Sequence, residues 1–197
     1  GQLGGVPDEV AAALNGIDAY KAEFQAAFKQ DASRETIVNS LASFLRTMRS
    51  GNSDFDKKTL SADAEAGQTL FSGKAGCAAC HTPGLFTDKA YHNVGIGMAA
   101  ETPDVGRAKP SKDKTKTGAF KTPSLRDVAK TAPYFHDGSV ATLKEAVKLM
   151  TSGGHANEIK DGLMIDRSLT DKEVDQLVAF LEALTGDVPF TEPTLPK

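Results

Sequence analysis

Two cysteines and a histidine stand together in the run Cys77-Ala-Ala-Cys80-His81. At this spacing two thiols can bond the two vinyl groups of one haem, and the residue that follows can bind the haem iron. The sequence therefore predicts one covalent haem c, attached at Cys77 and Cys80, with His81 as an axial ligand of the iron.

Other uses of a CxxC pair fit the sequence less well. The chain has 197 residues and no further cysteine, which excludes a four-cysteine zinc site. The remaining histidines, His92, His136 and His155, lack the spacing of a two-cysteine, two-histidine finger. Thioredoxin-like redox chemistry is normally set in a βαβ pattern, which this sequence does not show.

A six-coordinate haem iron needs a ligand opposite His81. Methionine sulfur in that position raises the reduction potential of a haem, whereas a second histidine would lower it. Among the four methionines, Met48 falls on the apolar stripe of an early helix and is expected in a core. Met98 lies in a glycine-rich segment, and Met164 lies in a loop before the last helix; both remain possible ligands.

Met150 has a different setting, because Thr142 and Glu145 form a capping box that predicts a short helix. Leu143, Val147 and Met150 would share one face of that helix, which can present the sulfur from a rigid element. Core packing of Met150 is the alternative that this pattern leaves open.

The composition predicts a folded, exported protein. The formal net charge of −3 gives no sign of nucleic-acid binding, and no run of about 18 apolar residues offers a membrane span. No apolar signal-peptide segment follows Gly1, so an exported chain would start here in mature or trimmed form. Because haem c is normally attached outside the cytoplasm, the periplasm is the expected location.

The periodicity predicts an all-α fold with a helical segment over residues 1–55. The helices placed before and after the CxxCH run then give the layout expected of a small cytochrome c-like haem domain with long loops. Within the segment over residues 1–55 we expect a helical break near Asn15-Gly16 and a second helix from about Ser33 to Ser50. The apolar stripe of this second helix consists of Ile37, Leu41, Phe44, Leu45 and Met48.

The haem domain is expected over residues 56–186, followed by a Pro-rich tail over residues 187–197. Ser61 can cap a helix that runs into the haem-binding turn, and a capping box at Thr170 and Glu173 begins the last helix. Small residues would let these two helices cross closely. The long region between them is rich in Gly, Pro, Lys and Thr, and such loops are usually functional or wrap a ligand.

The run from Thr122 to Val147, TPSLRDVAKTAPYFHDGSVATLKEAV, resembles the C-terminal haem domain of bacterial di-haem cytochrome c peroxidases. The motifs Phe86-Thr-Asp, Tyr91-His-Asn-Val-Gly and Gly118-Ala-Phe-Lys-Thr-Pro are also similar to that family. The resemblance covers nearly the whole chain and implies that residues 1–55 belong to the other, N-terminal haem domain. It implies a periplasmic enzyme in which this domain takes electrons from a small donor protein, of the cytochrome c or cupredoxin type. The electrons would pass to a second haem that reduces hydrogen peroxide.

The resemblance also implies roles for single residues. His81 and Met150 would be the axial ligands of a high-potential haem iron. Tyrosine in place of Met150 would instead suggest the related di-haem enzymes that mature a tryptophan-derived quinone. The backbone carbonyls of Thr131 and Pro133 would help to bind Ca²⁺ between two haem domains, with an ordinary turn as the alternative.

Three side chains have further implied roles. Lys121 and Arg126 would pair with haem propionates through charge-assisted bonds, or are solvated surface charges. His136 would contact the haem or the domain interface, or is a structural histidine.

A basic run consists of Arg107, Lys109, Lys112, Lys114 and Lys116. It can steer an acidic partner, or is a plain solvated loop.

The chain departs from the family in having a single CxxCH and no counterpart of the N-terminal haem domain with its proton-handling Glu and Gln. His/Met coordination leaves no open iron position, and peroxide cleavage needs one together with an acid/base group. We therefore expect no catalytic residue in this chain. It is either the electron-entry half of a peroxidase or a stand-alone electron-carrier cytochrome. In the first case, the other haem domain was cleaved, was deleted or is a separate polypeptide. A homodimer is a further expectation.

Overall fold

The computed structural model describes residues 5–195, which separate into two compact units. Residues 5–49 and 188–195 form the first unit, and residues 50–187 form the second. The short helix at Asp54–Lys57 belongs to the second unit, so the division falls before the limit expected at residue 55.

The first unit contains three helices: α1 (Pro7–Asn15), α2 (Asp18–Phe28) and α3 (Arg34–Thr47). The predicted break at Asn15-Gly16 is confirmed. The Asn15 side chain closes the unit locally, because its Nδ2 donates to the Ala32 carbonyl at 3.0 Å and its Oδ1 accepts from the Ala32 N–H at 2.8 Å. Ser33 caps α3, as its Oγ accepts from the Thr36 N–H.

Most of the apolar stripe of α3 is exposed, and only Ile37 is half-buried. Leu41 is 53% exposed, Leu45 62% and Met48 41%, so the expectation that Met48 is a core residue was wrong. Phe44 is also exposed, although Phe190 packs edge-on against it with ring centroids 5.9 Å apart. Helical periodicity identifies the apolar face of a helix, but it does not show what covers that face.

The regular secondary structure of the second unit is almost entirely helical, which confirms the all-α prediction for the haem domain. Its helices are α4 (Asp54–Lys57), α5 (Ala62–Ser72), α6 (Ala108–Ser111), α7 (Leu143–Thr151) and α8 (Asp171–Glu182). One small antiparallel pair, β1 (Tyr91–His92) and β2 (Phe120–Lys121), joins Tyr91 to Lys121 and His92 to Phe120. Short 3₁₀ turns lie at Cys77–Ala79, Lys114–Lys116 and Val128–Lys130.

The predicted helix starts of this unit are confirmed by their caps. The Ser61 side chain accepts from the Ala64 N–H at the start of α5. Capping boxes at Thr142 and Thr170 begin α7 and α8. In return, the side chains of Glu145 and Glu173 accept from the backbone N–H groups of these two threonines. Each cap satisfies backbone donors that a helix end leaves without a partner.

Helices α5 and α8 cross at Gly67. A Cβ atom at this position would overlap the backbone carbonyl of Gln176 on α8, so glycine is what permits the close approach. Next to the crossing, Phe71, Phe86 and Phe180 are almost fully buried and meet edge to face, with centroids 5.2 to 6.1 Å apart. Such aromatic pairs add roughly 0.5–1.5 kcal/mol each beyond the area that they bury.

Two segments of the region between α5 and α7 are joined to each other by hydrogen bonds and by the β1–β2 pair. Thr87 Oγ1 donates to the Thr122 carbonyl at 2.7 Å, and the Thr122 N–H donates to the Ala90 carbonyl at 2.9 Å. These bonds set the two segments of the loop side by side.

Across residues 5–195, every helix is too short or too polar to cross a bilayer.

Candidate haem site

A cavity of about 550 Å³ lies within the second unit, lined by the CxxCH turn, the β1–β2 pair, α7 and α8. Its wall is largely apolar, with Phe71, Val147, Leu177 and Leu181 contributed by the helical core. Cavities of this size and character hold small ligands and cofactors in proteins.

Cys77 and Cys80 both line this cavity, as expected from the sequence. The 3₁₀ turn at Cys77–Ala79 brings the two thiols to one wall, and the His81 N–H donates to the Cys77 carbonyl at 2.8 Å. Burial raises the pKa of the Cys77 thiol to about 11, and burial also raises the pKa of Cys80. Redox-active CxxC pairs need a depressed thiol pKa, which neither of these cysteines has.

His81 lines the same cavity, and its Nδ1 lies 2.8 Å from the Phe86 carbonyl oxygen. Burial lowers the pKa of His81, more than the bond to Phe86 and the nearby Asp88 charge raise it. The neutral imidazole is the form that binds metals, and a bond at one ring nitrogen orients the other toward the ligand position.

Met150 lies near the end of α7 and lines the cavity together with its helix neighbours Leu143 and Val147. Met164 lines it as well. Met98 is not part of the wall; its sulfur lies close to Gly118. Position alone therefore leaves two candidate sulfurs, of which Met150 is the one carried by a helix.

Several residues with weaker sequence-based roles also meet at this cavity. Lys121, Thr131, Pro133 and His136 all line it. The His136 ring stacks on Phe120 of β2, with centroids 3.6 Å apart and planes 10° apart. Lys121 donates from Nζ to the Thr122 carbonyl at 2.7 Å.

Arg126 has a different position from the one expected for a propionate partner. Its guanidinium holds both oxygens of Asp56 at 2.9 Å and donates to the Gly84 carbonyl, and it does not line the cavity. The hydrogen bond from Arg126 is the main reason why the pKa of Asp56 falls to about 2. Arg126 therefore ties α4 to the loop after the CxxCH turn, and we do not assign it to the haem.

His92 bridges two carboxylates at the edge of the cavity. Nδ1 lies 2.6 Å from Asp161 and Nε2 lies 2.9 Å from Asp88. Partial burial opposes protonation, but these two bonds raise the pKa of His92. The Asp88 partner lies four residues before His92 in the sequence, whereas the Asp161 partner is distant in sequence. A sulfur, a carboxylate and a ring nitrogen from Cys80, Asp88 and His92 lie within 4.8 Å of one another.

Arg167 is a cavity residue that was not predicted from the sequence. Its guanidinium lies beside Gly76, whose positive φ of 69° and lack of a Cβ leave room for it. It donates to the Leu163 carbonyl at 2.9 Å. No motif or periodicity surrounds Arg167 in the sequence, so only the tertiary structure places this charge near Cys77.

The donor set of the cavity fits a covalent haem c. Two thiols, one neutral imidazole and a thioether come from Cys77, Cys80, His81 and Met150, and they line one largely apolar space. Arg167, Lys121 and His136 add polar groups to the same wall. A mostly helical domain with a CxxCH turn at a cavity of this kind defines the class of c-type cytochromes.

Comparison with known proteins agrees with this class. The family model "Cytochrome c" matches residues 64–185, and the model "Di-haem cytochrome c peroxidase" matches residues 2–65. The chain belongs to the cytochrome c family, which implies covalent haem c. The predicted resemblance to the di-haem cytochrome c peroxidases is confirmed by the second match and by the relatives.

Relatives carry two kinds of name. The methylamine utilization protein MauG of Methylorubrum extorquens is 36% identical over 200 residues, which cover 96% of this chain and 56% of that protein. The cytochrome c551 peroxidase of Nitrosomonas europaea is 34% identical over 187 residues, covering 90% and 53%. A solved structure of a MauG-like protein associated with microbial copper homeostasis has a TM-score of 0.80 and 30% identity, over 92% of this chain and 62% of that one. The chain spans little more than half the length of these curated relatives.

Proposed function

We propose that residues 50–187 form an electron-transfer domain that carries one haem c. Cys77 and Cys80 hold the haem covalently, and His81 and Met150 are the axial ligands of its iron. The meeting of the CxxCH turn and the α7 methionine at one apolar cavity carries this proposal. When bound, the haem supplies a one-electron redox centre.

The chain's own residues set the properties of that centre. The apolar wall excludes water, and a methionine ligand raises the reduction potential relative to a second histidine. The Phe86 carbonyl holds the His81 ring in one orientation. Arg167 and Lys121, together with His136, neutralise or hydrogen-bond the haem propionates. These features favour an electron acceptor of high potential over a site that binds substrate.

The second part of the proposal concerns the whole protein. We infer that it is a periplasmic peroxidase in which this domain relays electrons to a second haem that reduces hydrogen peroxide. Relatives named as cytochrome c peroxidases support this role. Other relatives are named MauG; Met150, where tyrosine would suggest the quinone-maturing enzymes, favours the peroxidase.

The exposed stripe of α3 supports the existence of a partner domain. Leu41, Phe44, Leu45 and Met48 leave an apolar face uncovered, and contiguous faces of this kind mark interaction surfaces. They lie within residues 2–65, which match the di-haem peroxidase model. We propose that this face is covered by the remainder of the N-terminal haem domain. Ca²⁺ binding by the carbonyls of Thr131 and Pro133 stays a prediction.

The haem content of the chain tests the proposal. Expressed with a c-type maturation system, the chain should contain one haem by pyridine haemochrome, and acid acetone should not extract it. The double variant Cys77→Ala/Cys80→Ala should lose it. A colourless wild-type chain, or haem that acid acetone removes, would refute covalent attachment.

Peroxide turnover separates the peroxidase relay from a stand-alone carrier. The chain should show no turnover alone and should gain it when an N-terminal haem domain of the di-haem peroxidase type is supplied. Turnover by the mono-haem chain itself would contradict the relay. Failure of the added domain to restore turnover would support the carrier.

A further inference from the structure

The loop formed by residues 105–118, here called the basic loop, concentrates positive charge. Its five cationic residues are all exposed: Arg107, Lys109, Lys112, Lys114 and Lys116. Its single acidic residue, Asp113, accepts hydrogen bonds from Thr115 within the loop. Within residues 5–195 none of the five cationic groups lies within ion-pair distance of a carboxylate.

The basic loop is closed at its base by backbone bonds. The Arg107 N–H donates to the Ala119 carbonyl at 2.9 Å, and the Gly118 N–H donates to the Val105 carbonyl at 3.1 Å. The Asn93 side chain also donates to the Thr117 carbonyl at 2.9 Å. The lysines therefore extend from a fixed backbone rather than from a free tail.

This base is continuous with a wall of the haem cavity. Residue 119 leads directly into β2, where Phe120 and Lys121 line the cavity, and the paired strand β1 contributes His92 to the same wall. Arg107 reaches across to β1, with its guanidinium 4.6 Å from the centre of the Tyr91 ring. A protein bound to the basic loop would thus lie against the outer side of that wall.

The charge of the loop opposes the charge of the chain, which is −3 overall. An acidic protein would be repelled by most of this surface and attracted to the basic loop, which orients its approach. A basic protein would be directed elsewhere. The loop therefore selects both the sign of the partner's charge and the part of the cavity wall that the partner reaches.

We propose that the basic loop is the docking surface for a small acidic electron-transfer protein. The proposal rests on the proposed function, because it supplies the donor of the haem domain. In the complex the partner is oxidised by one electron and the domain is reduced by one, with no proton or bond transferred. Charge complementarity provides the orientation, and the β1–β2 pair joins the loop to the cavity wall.

Two triple variants with the same change in net charge test the docking surface. The loop variant, Lys112→Glu/Lys114→Glu/Lys116→Glu, reverses the charge at three positions of the basic loop. The control variant, Lys57→Glu/Lys58→Glu/Lys172→Glu, reverses the charge at three exposed lysines outside the loop. The probes are plastocyanin, an acidic cupredoxin, and mitochondrial cytochrome c, a basic protein. Calorimetry measures binding at low and high salt, and stopped-flow absorbance measures the rate of reduction by each probe.

Plastocyanin should bind the wild-type chain and the control variant at low salt, and raising the salt to about 0.2 M should weaken binding at least about tenfold. The loop variant should bind at least about tenfold more weakly at low salt and lose most of the salt dependence. Equal weakening in both variants, or tighter binding of the basic probe to the wild-type chain, would overturn the proposal.

The haem spectrum of each sample keeps the two proposals separate. If the wild-type chain carries no covalent haem, the proposed function fails. If all three proteins carry it with the same spectrum and the two variants bind plastocyanin alike, only the docking surface fails.

Discussion

The Nδ1 atom of His81 lies 2.8 Å from the carbonyl oxygen of Phe86. A carbonyl oxygen can only accept a hydrogen bond. The proton of the neutral imidazole is therefore on Nδ1, and the free lone pair is on Nε2. Phe86 is 1% exposed and packs edge-on against Phe55 and Phe71. The orientation of the proposed iron ligand is therefore fixed by the core of the domain.

The crossing of α5 and α8 gives a prediction for Gly67. Gly67→Ala would gain about 1 kcal/mol in helix propensity. However, its Cβ would overlap the Gln176 backbone, and forcing packed helices apart costs about 1–3 kcal/mol or more. We expect a net loss of stability in denaturant unfolding, because a backbone carbonyl cannot rotate out of the way as a side chain can.

Gly162→Ala is the matched control, since no atom lies within 4 Å of a Cβ at that position. Its unfolding free energy should stay within about 0.5 kcal/mol of wild type. A Gly67→Ala protein as stable as this control would contradict the proposed close crossing.

The Asp56–Arg126 pair predicts sensitivity to acid. The hydrogen bond from Arg126 is the largest cause that lowers the pKa of Asp56, from 3.8 to about 2. A lowered carboxyl pKa gives stability that is present above about pH 4 and is lost as the pH falls toward 2. Asp56→Asn should cost roughly 1–2 kcal/mol at pH 7 and flatten this acid transition.

Unfolding at a series of pH values measures the effect, with Glu65→Gln as a control carboxylate that is exposed and makes no ion pair within the described residues. If Asp56→Asn and Glu65→Gln show the same acid transition as wild type, the Asp56–Arg126 pair does not contribute to stability.

His92 predicts the opposite pH dependence. Partial burial acts to lower its pKa, but the bonds to Asp161 and Asp88 outweigh burial and raise that pKa. The stabilisation is therefore complete below the ordinary histidine value of about 6.5 and is lost as the pH rises through the raised value. His92→Gln should lose roughly 1–2 kcal/mol near pH 6 and much less near pH 9.

His155→Gln serves as the control, since His155 forms no ion pair in the part of the chain that the structure describes. Unfolding free energies at both pH values should be near wild type for this variant. A His92→Gln protein with a loss independent of pH would show that His92 acts by packing and not by charge.

Local features explain how much of the fold the sequence predicts. Ser61, Thr142 and Thr170 mark helix starts because a cap and the donors that it satisfies lie within a few residues of each other. The CxxCH run is equally local. The thiols and the imidazole of the candidate site can therefore be identified from the sequence alone.

Contacts between distant residues explain what the sequence does not show. Asp56 engages Arg126, and Asp161 engages His92, across about seventy residues. Charge and residue type alone could not distinguish Arg126, which pairs with Asp56 and does not line the cavity, from Arg167, which lines it. The exposure of Met48 has a similar cause, because the packing of a helix face depends on elements outside that helix.

The optical spectrum of Met150→Ala tests the central claim most directly, with Met164→Ala as the matched variant from the same cavity wall. The oxidised Met150→Ala protein should lose the weak long-wavelength absorption of the sulfur–iron bond, and its reduction potential should fall. Met164→Ala should keep both properties. An unchanged spectrum and potential in Met150→Ala, with the band lost in Met164→Ala, would contradict His81 and Met150 as the ligand pair.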